Sequence, residues 1–131
     1  MRRRLIALLA CLAVALPLAA AAAGALPAQS SSAAGVTVKA TPLALSGPIW
    51  EFELVFDTHT QELKDDPAKA ATLHAGSASA APLSWQGDPP GGHHRKVVLR
   101  FKAPTPAPAA IELRLQRAGE PSPRIFRWQL K

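Results

Sequence analysis

Three short stretches hold most of the residues able to do chemistry in this chain. Asp57-Thr58-His59 closes the strongest alternation of apolar and polar residues. Trp85-Gln86-Gly87-Asp88 and Gly91-Gly92-His93-His94-Arg95 lie on either side of a proline pair. Imidazole nitrogen and carboxylate oxygen together suit a borderline divalent ion such as Zn²⁺, Cu²⁺ or Ni²⁺. The spacing therefore predicts a metal set of Asp57, His59, His93 and His94, with zinc or copper as the divalent metal and Asp88 as a further oxygen donor. The one cysteine, Cys11, and the one methionine, Met1, stand at the N-terminal end. A blue-copper centre and a soft Cu(I) site are excluded downstream of them, because both need sulfur.

A structural reading of the same residues stays open. Adjacent histidines in an extended chain point to opposite sides, so only one of His93 and His94 is easily aimed at a given site. Arg95 is unfavourable beside a bare cation and suits a network of Trp85, Asp88 and Arg95, with Arg95 paired to Asp57. That network would serve either a polar ligand or the fold itself. No catalytic constellation is visible. Ser84 and His59 exist, but no Gly-x-Ser-x-Gly elbow surrounds any serine. Glu51 and Glu53 alternate with aromatics and read as a solvated strand face. The chain is expected not to be an enzyme.

Short strands must position these groups. Val36 to Ala40 alternates. From Ile49 to Asp57, Trp50, Phe52, Leu54 and Phe56 fall on one face, with Glu51, Glu53 and Asp57 on the other, the period-2 pattern of a half-buried strand. Asp57 and His59 then share a face, roughly 6 to 7 Å apart along the chain. Asp65-Asp66-Pro67 predicts one helical turn with Pro67 at its first position. Residues 71–74 and 83–85 are weaker strand candidates, and 75–81 reads as a loop. Residues 86–94 form a loop, since two prolines and three glycines leave little else. Strands return at 96–101, 111–116 and 125–130, the first two separated by the proline-rich connector 103–109. Phe52, Phe56, Leu99, Phe101, Leu113 and Trp128 are expected in the core. Trp50 also reads as core, and Trp85 as the tryptophan nearest the candidate site.

The N-terminus has another character. Arg2-Arg3-Arg4 precedes an apolar run from Leu5, and small residues crowd Ala19 to Ala28. That order is a secretory signal. Ala23-Gly24-Ala25 offers small residues at −3 and −1; a cut after Ala28 puts the bulky Leu26 at −3. Leu8-Leu9-Ala10-Cys11 has a lipobox order, but the apolar run continues past it. Taking Arg2, Arg3 and Arg4 from 15 basic residues leaves 12 against 9 acidic ones. A charge of about +3 is too mild to argue for nucleic acid. The expected organisation is a signal peptide over 1–28, a flexible linker over 29–35 and an antiparallel, all-β, immunoglobulin-like β-sandwich over 36–131. The mature domain is expected in the periplasm or outside the cell, with no stable membrane insertion once cleaved.

The runs Trp50–Thr60, Leu83–Phe101 and Phe126–Leu130, spanning residues 49 to 131, resemble a group of small exported prokaryotic proteins. Those carry Asp-Thr-His after a strand and a Trp-x-Gly…Gly-Gly-His-His-Arg loop. The resemblance implies an architecture and marks Asp57, His59, Trp85, His93, His94 and Arg95; it implies no reaction. Two functions remain: a binding module for a divalent metal or small ligand at one sheet end, or an accessory domain docking on an envelope protein.

Overall fold

The computed structural model describes residues 26–131. The expected leader lies outside the described residues through Ala25. Nine strands and one helical turn follow: β1 (Gln29–Ala33), β2 (Val36–Ala44), β3 (Ile49–Thr58), α1 (Pro67–Ala70), β4 (Ala71–Ala75), β5 (Ala78–Ala80), β6 (Ser84–Gly87), β7 (His94–Lys102), β8 (Ala110–Leu115) and β9 (Arg124–Gln129). They form two antiparallel sheets, ordered β1-β2-β3-β7-β6 and β5-β4-β8-β9. The described residues are all-β apart from α1.

The alternation in β3 does what its pattern predicts. Trp50, Phe52, Leu54 and Phe56 are buried, as are Val97, Leu99 and Phe101 of β7 and Ile111, Leu113, Phe126 and Trp128 of the other sheet. One core joins both sheets. Phe52 ties them together: its ring centroid lies 5.7 Å from that of Phe101 and 5.7 Å from that of Trp128. The six residues expected in the core are all there. Asp66 caps α1 through Ala68 N–H, with Pro67 in the first turn, as expected.

Two segments differ from expectation. Residues 29–33 are not a flexible linker but strand β1, paired to β2 in the register Gln29↔Ala40 to Ala33↔Val36. Their polar, serine-rich composition carries no hydrophobic signal. The strand is held by partners far along the chain, described below. Its two-residue turn uses Ala34 (φ 49°) and Gly35 (φ 75°), the positive-φ pair of a tight hairpin. Residues 78–80 likewise form β5, a short edge strand of small exposed residues rather than a loop.

Candidate functional site

The loops that follow β3 and precede β7 meet at one end of the sheets. Thr58 N–H donates to the His93 carbonyl (2.9 Å), Leu63 N–H to Gly92 O (3.0 Å) and Gly91 N–H to Leu63 O (2.8 Å). Leu63, the one large apolar residue in a polar stretch, is fully buried beneath this zipper. The Asp-Thr-His and Gly-Gly-His-His-Arg segments are therefore neighbours.

Their side chains do not converge on an ion. β3 and β7 pair with Asp57 opposite His94 and Phe56 opposite Arg95. Asp57 and His94 point outward and touch, Nδ1 to Oδ1, at 2.6 Å, both well exposed. His59 lies just past the end of β3 and His93 just before β7; both are exposed. Among the described residues no three His, Cys, Asp or Glu side chains gather as a metal-binding group. The four-residue metal set is thus not assembled; only its Asp57 and His94 meet.

Arg95 corrects a second expectation. It does not pair with Asp57, because neighbouring residues on a strand face opposite ways. Arg95 shares its face with Val97, Leu99 and Phe101 and is 0% exposed. Its Nε donates to the Asp88 carbonyl (3.0 Å) and its Nη1 to the Asp65 carbonyl (2.6 Å). The Trp85 ring centroid lies 5.3 Å from the guanidinium carbon, within cation–π range. Trp85, opposite Leu99 and half-buried, is a floor for Arg95 rather than an exposed stacking platform. Asp88 closes the hairpin: its carboxylate accepts from Lys96 N–H at 2.9 Å, and its own N–H donates to Lys96 O at 2.9 Å. Gly87, at φ +144°, is required there, since a Cβ would stand 2.3 Å from Lys96 O and 2.8 Å from Val97 Cα.

Two further buried arginines complete this end. Arg117 forks onto Asp65 (Nε–Oδ2 2.9 Å, Nη2–Oδ1 3.0 Å) and reaches Glu120 at 3.2 Å. Arg124 forks onto Glu120 (2.9 and 2.7 Å) and donates to the carbonyls of Ser31 (2.8 Å), Val36 (2.9 Å) and Ala33 (2.9 Å). These last three bonds fix the β1–β2 turn. The hydrogen bond from Arg124 holds the Glu120 carboxyl below the usual range, against the opposing effect of its burial. Burial pulls the Arg117 guanidinium down, but Asp65 and Glu120 outweigh it and raise it above its ordinary value. Such paired and fully hydrogen-bonded charges are the form in which ions are tolerated inside a protein.

Asp65, Arg117, Glu120 and Arg124 carry no motif and are not singled out by sequence reasoning. Arg124 had one usable signal: it is in phase with Phe126 and Trp128, hence inward. Arg95 is likewise in phase with Val97. Beside the network lies an open groove of about 620 Å³, edged by both signs of charge, including Glu62, Lys64, Asp66 and Lys69. No known protein family, curated protein or solved structure matches the chain.

Proposed function

We propose that this is an exported, non-enzymatic accessory domain of the cell envelope, an immunoglobulin-like β-sandwich whose Asp/His/Arg cluster is structural. One observation carries the reading. The buried guanidinium groups of Arg117 and Arg124 make their hydrogen bonds within the chain, to backbone carbonyls and to Asp65 and Glu120, while that of Arg95 bonds the Asp88 and Asp65 carbonyls and leaves its buried Nη2 without a partner. Charges committed in this way close an end of the fold rather than bind a ligand. The architecture is supported by strand order: without β1, the sheets read A-B-E-D and C′-C-F-G in immunoglobulin lettering. Export is supported by the Arg2-Arg3-Arg4, apolar and small-residue order of the N-terminus.

Docking falls to the β5 edge. On the opposite side β1 and β9 tie the sheets together: the Gln29 side chain accepts from Arg127 N–H (3.0 Å), and Trp128 Nε1 donates to Pro27 O (2.8 Å). Ala78-Ser79-Ala80 has no charge, proline or bulky side chain to deter another strand. The occupant that fits is an extended segment of an envelope protein, added by backbone hydrogen bonds. A photo-crosslinker at Ser79, in protein exported to its own compartment, tests this. The expected result is a discrete adduct within an extended segment of one partner, lost when Ala78→Lys and Ala80→Lys place charges on the edge. Adducts unaffected by those charges, or none, contradict the docking reading.

A further inference from the structure

β4 and β5 are joined by the two-residue turn Gly76-Ser77, and pair as Ala75↔Ala78, His74↔Ser79 and Leu73↔Ala80. In such a hairpin the pair flanking the turn is hydrogen-bonded and the pairs then alternate. Ala75↔Ala78 and Leu73↔Ala80 therefore use their backbone groups on each other. Ser79 turns its N–H and C=O to the open edge. A strand added there sets one residue opposite Ser79, on the outer face that Ser79 shares with His74. The neighbours of that residue point inward, to the face of Leu73, Ala75, Ala78 and Ala80.

That inward face opens on a groove of about 190 Å³, walled by Leu73, Ala75 and Ala80 on one side and by Ala103 and Pro104, after β7, on the other. Ala75 and Ala103 pack against the core cluster, so the groove is a continuation of the core. Its walls are mostly alanine, where the opposite edge of the same sheet, β9, buries Phe126 and Trp128. An apolar cavity of about 150 Å³ takes a benzene-sized group. The groove thus has room for one leucine-sized side chain. Lys102 is the one charged residue lining it; it is exposed and has no ion pair among the described residues.

We propose that the β5 edge selects a segment of apolar–polar–apolar order that carries a carboxylate. Its polar residue lies opposite Ser79, one inward leucine-sized side chain fills the groove between Ala80 and Ala103, and its carboxylate pairs with Lys102. This rests on the docking reading above and adds what the docked strand must contain. Backbone bonds to Ser79 accept any sequence, whereas the groove and the lysine distinguish one sequence from another.

The test uses the full chain in its own host, with a photo-crosslinker at Ser79, on the outer face and clear of the groove. Ala80→Leu fills the groove from β5, and Ala103→Leu fills it from the other wall without touching β5. Both leave the edge backbone uncharged and free. Each should lower the adduct yield at least about tenfold, the loss expected when one leucine side chain stays unburied. Lys102→Glu should lower it about two- to fivefold, as for an exposed ion pair. The captured segment, mapped by mass spectrometry, should show the apolar–polar–apolar order with an Asp or Glu beside it. Yields unchanged in both leucine variants overturn the proposal and leave edge docking intact. So does a captured segment without that order and charge, including residues 78–80 of a second copy. No adduct on the natural edge refutes the docking reading itself, and this proposal with it.

Discussion

Replacing Arg124 by methionine keeps most of the side chain's reach and removes its guanidinium. Two bonds to Glu120 and three to the carbonyls of Ser31, Ala33 and Val36 disappear. Hydrogen bonds to charged groups contribute about 1.5–3 kcal/mol each. A plain sum of five would rival the roughly 5–15 kcal/mol that stabilises a whole domain. The real loss is smaller, because methionine also relieves the desolvation of a buried cation. Breaking a buried ion pair from one side costs about 3–5 kcal/mol, since the other charge stays behind. Here Glu120 is left with Arg117 alone, at 3.2 Å. A domain of this size loses about 4–8 °C in Tm per kcal/mol. The expected drop for Arg124→Met is thus at least about 12 °C. Urea unfolding followed by tryptophan fluorescence, with a thermal melt, measures it. Arg114→Met is the control: its partner Glu112 lies on the outer sheet face, and exposed pairs contribute little. A loss for Arg124→Met below about 1 kcal/mol, or no larger than that of the control, would refute the reasoning.

Three further outcomes follow from the same structure. Because Glu120 has its folded pKa below the ordinary 4.5, its contribution is present above that pH and is lost as pH falls through the folded value. Glu120→Gln should therefore be less stable than the natural chain at pH 7, with the gap narrowing in melts taken below about pH 4; a gap independent of pH contradicts this. Ala34 adopts φ 49°, where asparagine is better tolerated, so Ala34→Asn should raise stability by up to about 1 kcal/mol, read as a higher urea midpoint; a lower midpoint speaks against the strained turn. Phe52→Ala should cost about 3–5 kcal/mol by emptying the contact between the sheets, and an unchanged melting point would contradict the shared core.

The strands were legible where period 2 was loud. β3, β7, β8 and β9 each bury one face, so Phe52, Leu99, Leu113 and Trp128 declared themselves. β1 and β5 were silent because serine and alanine carry no face. β1 is a strand through Arg124, the Gln29 side chain and the Pro27 carbonyl, none of which is a local signal. The site was legible as a place but not as an arrangement. Asp-Thr-His and Gly-Gly-His-His-Arg do meet, through Thr58, Leu63 and Gly92. The ligand set failed on parity: Arg95, in phase with Val97 and Leu99, goes inside, which sends His94 outside with Asp57. Asp65 and Glu120 were hidden because a loop carboxylate that binds a buried arginine looks, in sequence, like any solvated one.

The central claim is that the end carrying Asp57, His59, His93, His94 and Arg95 is a structural closure. Its most direct test is calorimetric titration of Zn²⁺ and of Cu²⁺ into the protein and into a His59→Ala, His93→Ala, His94→Ala triple variant. A structural closure predicts no binding tighter than about 100 μM (roughly 5.5 kcal/mol) in either form. Tighter binding by the natural domain that vanishes in the triple variant would contradict it.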